Sequence, residues 1–147
     1  MLLRVAIGKV GIYTHLMEYD YKTTPYQHQD DVLKASWDKV NWAFFMEMGT
    51  GKSKVCIDTA SILYERGEID TFIVVAPKGV YRNWANLEIP AHMPDRVREG
   101  ALLSLWRPNP TKALKQELLS FMAPATGFRM LMMNVEALST AKGQKFL

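Results

Sequence analysis

Cysteine is scarce in this sequence, and long apolar runs are missing from it. One cysteine occurs among 147 residues, so an internal disulfide is impossible and a disulfide-stabilised secreted domain is excluded. No run of about twenty apolar residues could cross a bilayer as a helix. The start of the chain carries Arg4 and Lys9 among apolar residues, and it is too short and too interrupted for a signal peptide. These absences predict a cytoplasmic protein.

An excess of charge of one sign is also missing. Charged residues make up 22% of the chain and hydrophobic residues 48%, which excludes a disordered or fibrous protein. The length predicts one domain with a sizeable core. The net charge of +3 permits contact with nucleic acid but does not require it.

Strand-like and helix-like segments alternate along the chain, which predicts an α/β domain with a mainly parallel sheet. The predicted helices cover residues 27–37, 52–66, 79–89 and 112–122, the last one capped by Thr111. The predicted strands cover residues 40–46, 71–76, 102–106 and 128–135. We expect Pro90 to end the third helix. Residues 1–20 are assigned to an N-terminal extension, with one or two strands in residues 2–19, and residues 21–147 to the domain itself.

The run Met-Glu-Met-Gly-Thr-Gly-Lys-Ser at residues 46–53 carries the most specific signal in the chain. It follows a predicted strand and opens a predicted helix, which is where phosphate-binding loops occur. The general pattern of such a loop is G-x-x-x-x-G-K-[S/T]. Met46 stands in place of the first glycine, whereas the Gly-Lys-Ser end is intact.

The residue types in this run each have a physical reason. Gly49 and Gly51 let the backbone curl so that successive N–H groups point to one side. The following helix directs the positive end of its dipole to the same point. Lys52 can place its ammonium on the β- and γ-phosphates of a nucleotide, and the Ser53 hydroxyl can bind Mg²⁺. The run therefore predicts a site for ATP and Mg²⁺.

Residues 47–53, Glu-Met-Gly-Thr-Gly-Lys-Ser, resemble motif I of superfamily 2 helicases and translocases, in particular the Swi/Snf-like and phage-type branches. The resemblance implies a RecA-like P-loop fold, a three-layer α/β/α architecture with a mainly parallel sheet, which would here be incomplete. It implies a nucleotide site formed by Met48, Gly49, Thr50, Gly51, Lys52 and Ser53. It also implies a prokaryotic or phage-infected cell as the setting.

A segment upstream of the loop, Pro-Tyr-Gln-His-Gln at residues 25–29, resembles the Q motif of the same family. In that family a glutamine reads adenine with its amide, which offers a donor and an acceptor side by side. Gln29 is favoured because it is followed by two polar residues and then an apolar pair, as in the family. Gln27 is the alternative adenine reader.

Two segments downstream resemble motifs that contact nucleic acid in this family. Residues 74–78, Val-Val-Ala-Pro-Lys, followed by Asn-Trp at residues 83–84, resemble motif Ia. The resemblance places Pro77 and Lys78 against the phosphodiester backbone, which requires charge but no reading of bases. Residues 132–139 resemble motif Ib and its surroundings. Together these segments imply nucleic acid, and more specifically DNA, as a partner.

The acidic motif that the family places next is not found. An Asp-Glu run would position Mg²⁺ and activate the attacking water, and none follows Val135. The adjacent acidic pair at residues 30–31 lies at a helix start, where it suits the helix dipole. A second RecA-like domain with arginine fingers is also absent. We therefore expect the ATP-binding portion of an ATP-dependent DNA helicase or translocase, without a catalytic residue for turnover of its own.

This interpretation implies further partners and leaves two alternatives open. The expected partners are a C-terminal motor portion or a partner chain, and a second copy could pair with an exposed edge of the incomplete sheet. A small-molecule P-loop kinase is one alternative, although arginines are few and scattered and Met46 departs from the pattern. A non-catalytic interaction protein on a degenerate motor fold is the other, and the intact Lys52-Ser53 pair disfavours it.

Overall fold

The computed structural model describes residues 2–4, 19–123 and 127–144. The chain forms two compact units, and each one is built from two separate segments. The first unit comprises Met1–Ile69 with Glu88–Arg98, and the second comprises Asp70–Leu87 with Glu99–Leu147. Of the predicted strand region at residues 2–19, residues 2–4 form a strand, and residues 5–18 lie outside the described residues.

The described residues contain five strands and seven α-helices. The strands are β1 (Leu2–Arg4), β2 (Asn41–Ala43), β3 (Thr71–Ala76), β4 (Leu102–Leu105) and β5 (Arg129–Asn134). The helices are α1 (Gln27–Ser36), α2 (Lys52–Glu65), α3 (Tyr81–Asn83), α4 (Ile89–His92), α5 (Asp95–Arg98), α6 (Lys112–Met122) and α7 (Ala141–Gln144). A π-helical turn (Trp84–Glu88) joins α3 to α4, and a 3₁₀ turn (Val135–Ser139) precedes α7. None of these helices has the length and apolar character that a bilayer crossing requires.

Helix α2 is the centre of the first unit. Every residue from Lys54 to Leu63 is buried, because α1, α4 and α5 pack around the helix. A helix enclosed on all sides needs apolar residues all round, and the sequence of α2 is apolar at most of these positions. The largest fully buried side chains of this unit are Leu33, Trp37, Ile57, Leu63, Ile89 and Met93.

A three-stranded sheet forms the frame of the second unit. Its strand order is β3-β5-β4, and both pairings are parallel. The middle strand, β5, is apolar from Met130 to Met133, and these four residues are buried because a central parallel strand is covered on both faces. Helix α6 contributes Leu118 and Phe121 to a cluster with Leu131, Met133, Trp106 and Ala137. The predicted α/β class with a parallel sheet is confirmed at this level.

The predicted strand at residues 40–46 is wrong in length, and the strand found there belongs to a two-stranded antiparallel sheet and not to the parallel one. Only Asn41–Ala43 is extended, and it pairs antiparallel with β1, with Leu3 opposite Trp42. The carbonyl oxygens of Met46 and Glu47 accept hydrogen bonds from the Lys52 ammonium instead of joining a strand ladder. The end of the predicted strand therefore belongs to the loop.

The prediction that Pro90 ends a helix is also wrong. The helical region continues past it, through the π-helical turn into α4, and ends at His92. Pro90 lies in the first turn of α4. A proline inside a helical run removes an N–H donor and disturbs the regular hydrogen bonds of the preceding turn, and the turn before Pro90 is π-helical here.

Candidate nucleotide-binding loop

The loop at residues 46–53 is held in a curled conformation by two glycines. Gly49 has a φ of 80° and Gly51 a φ of 83°, whereas Thr50 between them keeps a φ of the ordinary sign. Alternation of φ sign over successive residues turns their N–H groups toward one side of the chain. Helix α2 begins directly afterwards, with Gly51 as its N-terminal cap.

The amides of this loop are available to a ligand. Among the described residues, the backbone N–H groups of residues 49–53 donate to no protein acceptor. The first bond of α2 runs from Val55 N–H to the Gly51 carbonyl at 3.2 Å, so the N–H groups before Val55 are the unpaired donors of a helix N-terminus. Unpaired amides with the positive end of a helix dipole form a favourable site for an anion.

The Lys52 side chain folds back across the loop. Its Nζ donates to the carbonyl oxygens of Met46 at 2.9 Å and Glu47 at 2.6 Å. The Glu47 carbonyl also accepts a hydrogen bond from Thr50 Oγ1 at 2.7 Å, which closes the loop on itself. An ammonium has three donors, and both bonds of Lys52 go to uncharged groups. Its positive charge is therefore left for an anion.

Gln29 connects helix α1 to the loop. Its Oε1 accepts from Tyr26 N–H and its Nε2 donates to the Thr50 carbonyl, each at 3.0 Å. The side chain is buried, and a β-carbon added at Gly51 would lie 2.2 Å from Gln29 Nε2. Each end of the amide still has one hydrogen-bonding position beyond these contacts. The structure thus brings Gln29 against the loop.

Gln27 has a different environment. It is exposed, and its Nε2 donates to Asp31 Oδ1 at 2.9 Å on the surface of α1. His28 was not predicted to contact the loop, but its Nε2 lies 3.0 Å from the Thr50 carbonyl oxygen. The signal that could have identified His28 is its position next to Gln29 in the first turn of α1.

The remaining loop residues differ in exposure. Met48 is 95% exposed, so its side chain is available to a ligand but contributes little to the fold. Ser53 is half-buried in the first turn of α2. No group of three His, Cys, Asp or Glu side chains converges on a metal site within the described parts of the chain. Mg²⁺ commonly takes most of its ligands from phosphate oxygens and water, and a single serine hydroxyl fits that requirement.

Pro77 and Lys78 follow β3 in the second unit, and both are exposed. Strands β3 and β5 are parallel and in register, with Ala76 opposite Asn134, so residues 77–78 and 135–136 leave the sheet at the same edge. Asn134 Nδ2 donates to Glu136 Oε2 at 2.9 Å. This bond, the amide of Glu136 itself, and the amide and charge of Lys78 lower the Glu136 pKa. A carboxylate thus lies beside the predicted phosphate-binding lysine.

A buried ion pair in α2 was not predicted from the sequence. Lys54 Nζ donates to Asp58 Oδ2 at 2.5 Å, and both side chains are at most 5% exposed. Burial raises the Asp58 pKa to about 6, although the hydrogen bond and charge of Lys54 act in the opposite direction. Asp58 Oδ1 accepts no hydrogen bond from the residues that the structure describes. The spacing i to i+4 of Lys and Asp within an apolar helix was the available signal.

Comparison of the chain with protein-family models, with curated proteins and with solved structures gives no match.

Proposed function

We propose that this chain binds ATP with Mg²⁺ through the loop at residues 46–53. The observation that carries the proposal is the combination of unpaired amides, two left-handed glycines and the Lys52 ammonium at the start of a buried helix. Backbone amides would hold the phosphate oxygens, because they are directed donors with no protein partner. Lys52 would exchange a neutral carbonyl for a phosphate oxygen, and a charged acceptor makes the stronger bond.

The proposed biological role is that of the nucleotide-binding part of an ATP-dependent DNA helicase or translocase with a RecA-like fold, in the cytoplasm. Gln29 would contact adenine, because its amide lies against the loop and, among the described residues, uses only one of its two donors and one acceptor position. Pro77 and Lys78 would contact the phosphodiester backbone. Bound ATP and Mg²⁺ would supply the phosphoryl chemistry that drives such motors.

The chain itself is expected to bind the nucleotide without efficient turnover. Hydrolysis in P-loop motors needs carboxylates that hold Mg²⁺ and orient water, and the sequence contains no Asp-Glu run. Contacts from a further motor portion or a partner chain would complete the site. DNA-stimulated hydrolysis by this chain alone would contradict this part of the proposal.

A thermal-shift experiment tests nucleotide binding. Addition of Mg-ATP should raise the Tm of the wild-type chain, because a ligand of the native state stabilises it by mass action. Lys52→Ala should abolish the shift, since it removes the ammonium. Lys52→Gln retains donors for the Met46 and Glu47 carbonyls but not the charge, so it should also lose the shift while the loop keeps its bonds.

The matched control is Lys34→Ala. Lys34 is an exposed lysine on α1 that pairs with Asp30 at 2.6 Å, and it lies outside the loop. Its replacement should leave the ATP-dependent shift in place. An equal shift in the wild-type chain, Lys52→Ala and Lys52→Gln would show that nucleotide binds elsewhere and would refute the proposed site.

A further inference from the structure

A groove in the second unit is separate from the residues assigned to nucleotide or DNA. It has a volume of about 310 Å³ and lies among the loop after β4, helix α6 and helix α7. Its apolar lining consists of Trp106, Pro108, Pro110, Leu118, Leu119 and Met122. Leu119 is 62% exposed and Met122 is 56% exposed. Large apolar side chains exposed together in a concavity are typical of a binding surface.

The charged residues of this groove all have the same sign. Arg107, Lys115 and Lys142 line it, and no aspartate or glutamate among the described residues does. Lys142 Nζ donates to the uncharged Asn109 Oδ1 at 3.2 Å. In the part of the chain that the structure describes, none of these three cations forms an ion pair. A ligand with apolar groups and negative charges would therefore complement both the apolar lining and the three cations.

The lining favours a peptide over nucleic acid. Binding of single-stranded nucleic acid relies on exposed aromatic rings on which bases stack, whereas the aromatic ring of this groove, Trp106, is 4% exposed. The exposed apolar atoms are aliphatic. The three cations come from three different segments of the chain, so they suit several carboxylates spaced along a chain better than one small anion.

We propose that the groove binds an acidic amphipathic segment of a partner protein. Leucine- or phenylalanine-sized side chains of the partner would pack against the exposed Leu119 and Met122 in this groove of about 310 Å³. Aspartate or glutamate residues beside them would pair with Arg107, Lys115 and Lys142. Such recognition follows the general mode in which the apolar face of a peptide lies in a groove. This interaction does not depend on the nucleotide proposal.

The test uses a fluorescein-labelled peptide of about twelve residues, in which leucines at helical spacing alternate with glutamates. Fluorescence anisotropy should show saturable binding to the full chain. Lys115→Glu and Met122→Glu change exposed residues of the groove, and each should weaken binding at least about tenfold, through charge repulsion at the rim or loss of the apolar contact. Lys112→Glu is the matched control, because Lys112 is exposed on the same helix but does not line the groove.

Two control ligands test whether binding needs the apolar side chains and whether the groove prefers a peptide to nucleic acid. A peptide with the leucines replaced by serine keeps its charge and should not bind. A labelled single-stranded oligonucleotide should not compete with the acidic peptide. Overturning results would be no saturable binding of the acidic peptide up to about 1 mM, equal binding by wild-type and Lys115→Glu chains, or displacement of the peptide by the oligonucleotide.

Discussion

Gly51 is required for two reasons: its backbone conformation and its close contact with Gln29. Its φ is 83°, and no space exists beside it for a side chain because Gln29 Nε2 occupies the position that a β-carbon would take. Gly49 has nearly the same φ, but nothing lies within 4 Å of its added β-carbon. Alanine substitution of the two glycines can therefore distinguish the free-energy cost of a positive φ from the cost of displacing Gln29.

We expect Gly51→Ala to destabilise the chain more than Gly49→Ala. Both substitutions incur a strain of about 1 kcal/mol at positive φ. Gly51→Ala should cost roughly a further 1 kcal/mol, because Gln29 must release the Thr50 carbonyl. Urea unfolding monitored by circular dichroism measures the difference. Equal free energies of unfolding for the two variants would show that the contact between Gln29 and the loop contributes nothing.

Helix α2 buries two charged side chains, Lys54 and Asp58, in an otherwise largely apolar core. Burial raises the Asp58 pKa from 3.8 to about 6, so the folded state retains a proton that the unfolded state releases. The contribution of this proton to the free energy of unfolding is fully present at pH values below the pKa of Asp58 in the unfolded chain. It is lost as the pH rises through about 6, and the shift corresponds to about 3 kcal/mol at most.

We expect Asp58→Asn to remove this pH dependence. The free energy of unfolding of the wild-type chain should fall relative to the variant between about pH 4 and pH 7. Asp31→Asn, on the exposed surface of α1, controls for the loss of a carboxylate. A rise of the wild-type stability relative to Asp58→Asn over the same interval would mean that attraction to Lys54 outweighs the burial of Asp58.

The surface proposed to bind DNA lies at the carboxyl ends of β3 and β5. Lys78 lies beside Glu136, whose charge opposes the approach of a phosphate. Lys78→Ala should weaken the affinity for single-stranded DNA, and Glu136→Gln should increase it, each by roughly threefold to tenfold at low salt, because exposed charges act modestly and are screened. Anisotropy of a labelled oligonucleotide measures both. Unchanged affinity in both variants would place the contact elsewhere.

The two outer strands of the three-stranded sheet each have one unpaired edge in the described part of the chain. Within the described residues, β3 and β4 pair only with β5. On β3, Ile73 is 43% exposed and Val75 is 39% exposed. Unpaired edges that carry exposed apolar residues favour pairing with another chain. This arrangement supports the proposal of self-association.

Sedimentation velocity over about a hundredfold range of concentration tests this proposal. The wild-type chain should show a rising average mass, whereas Ile73→Lys combined with Val75→Lys should remain smaller, because charge on an edge strand opposes pairing. Asn83→Lys, at an exposed position of α3, controls for the added charge. A monomeric wild-type chain at every concentration would contradict the proposal.

Features that depend on near neighbours can be predicted from the sequence alone. Four features were predicted from residues a few positions apart: the curl of the loop at Gly49 and Gly51, the start of α2 at Lys52, the Thr111 cap and the apolar run of β3. These features follow from local sterics and hydrogen bonding, which a short stretch of chain already contains.

Features that join distant residues become visible only in the folded chain. The bond between Gln29 and the Thr50 carbonyl spans 21 positions, and the groove combines segments from Trp106 to Lys142. The pairing of β2 with β1 and the raised Asp58 pKa likewise depend on what packs nearby. Periodicity shows which residues become buried, but it does not identify the neighbour, because the path of the chain brings distant positions together.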